Sequence, residues 1–173
     1  MDVKKLSTGE MIIGISGIVL FFSSFLDWFG AEIKGVPGAS GADNAWGFTL
    51  PLFAVLLGIA MVVLVALRAF GVVLPEKIGG FGFRLLYLLG GLAFLLVLLK
   101  IIVGPDIDTG GASALGIEVS KTREIGAYIG LLCTAGLAVG GFMAAKEAGD
   151  LDALMNRGKS SGGGATPPAP PAA

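Results

Sequence analysis

Four runs of apolar residues, separated by charged or glycine-rich stretches, dominate the chain at positions 10–29, 46–70, 81–103 and 124–145. Each reaches the roughly 20 helical residues needed to cross about 30 Å of hydrocarbon. The pattern therefore predicts an all-α membrane protein, a bundle of four transmembrane helices. Ser7 followed by Glu10 has the spacing of a capping box and marks where the first helix begins. Lys4 and Lys5 precede an apolar run, as in a signal peptide. That run is longer than the usual core of about 7–15 residues and no Ala-x-Ala site follows it, so it reads as an uncleaved span.

The segments between the runs are less regular. Positions 30–45 and 104–123 are rich in Gly, Ala, Ser and Asp, show no sustained alternation, and are expected to be short irregular connections with at most a hairpin turn. After the fourth run, Leu151, Leu154 and Met155 recur at helical spacing within 146–157, which predicts one or two amphipathic turns at the membrane surface. Positions 158–173 are Gly/Ser and then Pro/Ala, a composition expected to form a disordered tail. The chain thus divides into a four-span membrane domain, 1–157, and the tail, 158–173.

Charge sets the orientation. With the N-terminus inside, Lys4, Lys5, Arg68, Lys77, Arg84, Lys146, Arg157 and Lys159 fall on the cytoplasmic side, and Lys34, Lys100, Lys121 and Arg123 fall outside. Eight against four follows the positive-inside rule and places both termini in the cytoplasm of a multi-pass cell-membrane protein. Of the 173 residues, 54% are hydrophobic and 14% charged, and the mean hydropathy is +0.86. A formal net charge of −1 gives no basic surface for nucleic acid. Histidine is absent and Cys133 is the one cysteine, so neither a His-dependent catalytic triad nor a four-ligand zinc site of Cys and His can be assembled. No cofactor is implied.

Small residues recur at a spacing of four within the spans: Ala54 and Gly58, Gly126 and Gly130, Gly136 and Gly140. Such pairs let helix backbones approach closely, either within the four-helix unit, the preferred reading, or between two copies. Trp28 and Trp46 flank the first outer connection and read as interfacial anchors. Glu10 and Asp27 lie as far apart as Arg84 and Lys100, about 25 Å along a helix, which suggests that the first and third spans are neighbours. Asp27 and Lys100 are then a candidate ion pair. Asp108-Thr109-Gly110 matches the aspartic-protease triplet without a second lobe, and Asp106 with Asp108 makes only part of a calcium loop. Both read as turns. No ionisable residue lies near the centre of any span, unlike a proton-coupled exporter.

Phe25-Leu26-Asp27-Trp28-Phe29, closing the first span, and Asn44-Ala45-Trp46, opening the second, resemble motifs of uncharacterised small four-helix membrane proteins of high-GC Gram-positive bacteria. In that group Pro commonly stands where this chain has Asp27. The resemblance implies an architecture and no activity. The function expected is non-enzymatic: an accessory or scaffold protein in the lipid bilayer, packing as a homo-oligomer or with a larger membrane protein through its Gly-rich helices. The alternative is a small transporter or a holin-like pore.

Overall fold

The structure, a computed structural model, describes residues 6–36, 38–72, 84–105 and 116–149. The Asp-Thr-Gly triplet, the partial calcium loop, the amphipathic turns after position 149 and the tail lie outside the described residues. The protein is mostly helical, with four α-helices among the described residues: α1 (Thr8–Ser23), α2 (Thr49–Ala69), α3 (Arg84–Val103) and α4 (Ile125–Glu147). The last three are long and apolar enough to cross a membrane; α1, with 16 residues, is an apolar helix about 24 Å long.

Local chemistry sets the helix ends. At the start of α1 the Ser7 hydroxyl accepts from the Glu10 amide at 3.2 Å, and the Glu10 carboxylate accepts from the Ser7 amide at 2.9 Å, closing the capping box. At the end of α2, Gly71 takes a left-handed φ of 72°. The Val72 amide then reaches back to the Leu67 carbonyl at 3.0 Å, the bond that closes a Schellman turn.

Packing makes α4 the hub. It lies against α1 and α3, α2 closes the ring against the same two helices, and α1 and α3 occupy opposite corners. The predicted neighbourhood of the first and third spans is therefore not formed. Helices joined in succession by short connections run antiparallel side by side, which leaves the first and third on a diagonal. Contacts along α4 are made backbone to backbone. A Cβ on Gly141 would fall 2.7 Å from the Leu86 carbonyl oxygen of α3, and one on Gly140 would fall 2.9 Å from the Gly9 carbonyl oxygen of α1.

The two connections at one end of the bundle form a sheet instead of the irregular loops expected. β1 (Asp27–Ile33) lies between β2 (Ser40–Asn44) and β3 (Val119–Arg123), antiparallel to both. A register irregularity between Asp27 and Phe29 lets Trp28, Phe29 and Gly30 be buried in succession. That succession erases the alternation by which a strand is recognised. β2 is Ser-Gly-Ala-Asp-Asn, of low strand propensity, and β3 pairs with a strand far away in sequence. The sheet also takes residues assigned to the first span. Helix α1 ends at Ser23, and Asp27–Phe29 are already strand.

Adjacent glycines of α3 provide a test of the packing. A Cβ on Gly90 would lie 2.6 Å from the Leu137 carbonyl oxygen and 3.0 Å from the Ala138 Cα, both backbone atoms of α4, whereas one on Gly91 would meet nothing within 4 Å. In thermal unfolding in detergent, Gly90→Ala should lose about 1–3 kcal/mol of stability through overpacking. Gly91→Ala should be neutral or gain up to about 1 kcal/mol from helix propensity. Equal effects would contradict the close approach of α3 to α4.

Candidate functional site

The sheet end of the bundle holds most of the residues to which the sequence drew attention, and it is organised by the way α1 stops. A helix leaves its last four carbonyls without partners. Here side chains and turns supply them. The Leu20 carbonyl accepts from the Ser23 hydroxyl and the Ser24 amide, both at 2.9 Å, and the Phe21 carbonyl accepts from the Ser24 hydroxyl at 2.6 Å. The Phe25 amide reaches the Phe22 carbonyl at 3.3 Å. Ser23 offers its carbonyl to the Leu26 amide at 3.1 Å and to Trp28 Nε1 at 2.8 Å. Finally, the Ser24 carbonyl accepts from the Ala45 amide, and the Ser24 hydroxyl accepts from Trp46 Nε1, both at 3.1 Å.

The two tryptophans therefore differ in kind. Trp28 is fully buried and Trp46 is 38% exposed. The Trp28 indole lies on α4, where a Cβ on Gly126 would fall 2.5 Å from its Cδ1 and one on Gly130 would overlap its six-membered ring. These two glycines, expected to pair helix with helix, instead seat a side chain from the sheet, and Trp28 sits in the core where an interfacial anchor was expected. Gly136 meets Ser16 of α1, Gly140 meets Gly9 and Ile13, Gly58 meets Leu20 and Leu137, and Ala54 is fully buried. All six small residues thus face other parts of this chain.

Phe29 and Phe48, both buried, meet edge to face with centroids 5.1 Å apart. Lys100, 1% exposed, places its ammonium 5.8 Å and 5.1 Å from the two ring centroids, within cation–π range. Asp27 is exposed and forms no ion pair with Lys100. Its carbonyl abuts Gly126 of α4, while Lys100 lies beneath the Phe29 ring. The ion pair seen among the described residues is instead Lys34–Glu118, at 3.1 Å on the exposed rim of the sheet.

Two cations of β3 serve the end of α3. Arg123 Nε donates to the Ile101 carbonyl at 2.9 Å, and Lys121 Nζ donates to the Pro105 carbonyl at 3.2 Å. Both place positive charge at the negative end of a helix dipole. Sequence reasoning counted these residues only as charges against the positive-inside bias. The pair Ser23-Ser24, which ends α1, stands in the sequence as a polar interruption within the apolar run 10–29.

The open face of the sheet carries a shallow cavity of about 390 Å³, lined by Asp27, Glu32, Glu124, Thr122 and residues 40–42. Thr122 donates to Glu124 at 2.7 Å. Gly30 is buried beside Gly41 and Thr122 of this lining, where a Cβ would fall 2.9 Å from both the Gly41 carbonyl oxygen and the Thr122 hydroxyl. The lining offers carboxylates and hydroxyls without a cation. Among the described residues, no three His, Cys, Asp or Glu side chains come together in a group that could hold a metal ion.

Comparison with known protein families, with curated proteins and with solved structures finds no match for the chain.

The join between sheet and bundle should weaken in steps when Trp28 is changed. Trp28→Ala removes a fully buried indole and should cost about 3–5 kcal/mol in thermal unfolding. Trp28→Phe keeps a ring against Gly126 and Gly130, loses the donor to Ser23, and should cost about 1–3 kcal/mol. An unaltered melting temperature for Trp28→Ala would show that the indole does not hold the sheet to the bundle.

Proposed function

We propose that the chain is an integral membrane protein of four spans, with both termini cytoplasmic and the sheet outside, acting without catalysis as an accessory or scaffold protein. Three helices have the length and hydropathy for a bilayer, and α1 is extended at its sheet end by the exposed apolar residues Phe25 and Leu26. Large apolar side chains cover the outer faces of all four helices, including Ile15 on α1, Phe53 on α2, Leu95 on α3 and Leu132 on α4. Surfaces of this kind are ordinary against lipid and costly against water.

The observation that carries the functional reading is the filling of the bundle axis. Ile13, Leu20, Val55, Met61, Val97 and Leu137 are each at most 1% exposed, and Leu20 and Leu137 both press on the bare backbone of Gly58. An axis occupied by interlocking side chains supports a role for the outer surfaces over one for a central path. The small residues that favour close helix contact are engaged within the chain, so association with a second copy or a larger membrane protein would use the lipid-facing sides or the sheet.

Two measurements test this. In reconstituted liposomes the protein should raise ion leak no further than empty vesicles do, and purification in mild detergent should retain a membrane-protein partner or a second copy. Leak that scales with protein content would favour the pore instead. For topology, a cysteine placed at Ser40 in a Cys133→Ala background should react on intact cells with a membrane-impermeant thiol reagent, and one at Ser160 should not. The reverse pattern would overturn the orientation.

A further inference from the structure

Beside the end of α1 lies a cluster of aromatic rings that the bundle leaves uncovered. Phe21, Phe22, Phe25, Leu26 and Trp46 are 38–67% exposed. The rings form a connected set: Phe21 meets Phe22 and Phe25 edge to face at 5.7 Å and 5.3 Å, and Phe25 lies 6.0 Å from Trp46. Ile15, Ile18, Val19 and Phe22 continue this surface down one face of α1. Above it the carboxylates of Asp27 and Asp43 are exposed. Glu124 is held level with them, its amide donating to the Trp28 carbonyl at 2.9 Å.

We infer that acyl chains of the outer leaflet cover this aromatic shelf just below the headgroups, so that α1 ends inside the apolar layer and the bilayer surface meets the protein at Asp27 and Glu124. The inference rests on the membrane reading above and adds the depth at which the sheet stands. Two independent features support lipid as the occupant. First, the carbonyls of residues 20–24 all accept from donors of the chain itself. A helix end in water can leave such groups to solvent, whereas one in hydrocarbon must satisfy them internally. Second, the Trp46 indole N–H is engaged inward by Ser24, so the shelf presents ring faces outward with no indole donor directed at a partner. Apolar rings beneath a line of carboxylates match the boundary between acyl chains and headgroups.

The test uses the full-length chain in vesicles of phosphatidylcholine carrying bromine either near the glycerol backbone or near the bilayer midplane. Bromine quenches tryptophan emission on contact. Trp28, fully buried, should be spared, so quenching reports Trp46. Shallow bromine should quench at least about twofold more than deep bromine, as expected for a ring at the interface. Most of this quenching should vanish in Trp46→Phe; should that variant not fold, Trp28→Phe, in which Trp46 alone emits, should reproduce the wild-type depth profile. Stronger quenching by deep bromine, or none from either position while the protein floats with the vesicles, would overturn the inference and leave the membrane reading standing. Failure to float with the vesicles would overturn both.

Discussion

The sheet end of this protein depends on one requirement, that the final carbonyls of α1 find donors within the fold. An unpaired buried carbonyl costs about 1–3 kcal/mol, and α1 ends with several in succession. Ser23 and Ser24 meet the requirement by folding their hydroxyls back on the preceding turn, while the Trp28 indole reaches the Ser23 carbonyl from the strand and the Ala45 amide reaches the Ser24 carbonyl from the turn before α2. Because Trp28 must lie inward to reach Ser23, the strand that carries it is drawn against α4, and the sheet is joined to the bundle at that point. The end of a helix thereby sets the position of a sheet.

The same economy of backbone contact runs along α4. Its glycines do three different things: Gly126 and Gly130 make room for an indole, Gly136 and Gly140 admit α1, and Gly141 admits α3. A side chain at any of these sites would meet backbone, a ring or a neighbouring side chain, so the helix at the centre of the fold is necessarily the one poorest in large residues. The larger apolar residues are then available for the axis and for the outer faces. That division accounts for a bundle that is filled inside and apolar outside.

Basic residues at the sheet end answer a parallel need on α3. From β3, Arg123 reaches the Ile101 carbonyl in the last turn of that helix and Lys121 the Pro105 carbonyl just beyond it, and Lys100 lies under two aromatic rings. Each helix that runs toward the sheet is therefore finished by groups from the connection that follows it. The sheet in turn draws its strands from both connections, which ties the α1–α2 pair to the α3–α4 pair.

Hydropathy along the chain determined where the four described helices lie and most of their limits, because burial of apolar side chains is a local and additive signal: α2, α3 and α4 begin and end within three residues of the predicted runs. The capping box at Ser7 was equally legible, since both of its bonds lie within one turn. The termination of α1 was not, because hydropathy scores Phe25, Leu26, Trp28 and Phe29 alike whether they continue a helix or leave it. Only the tertiary structure decided that the two connections form a sheet, that Gly126 and Gly130 receive Trp28, and that Asp27 and Lys100 stay apart. Each of these depends on which residues distant in sequence are brought together, and neither period nor spacing carries that information.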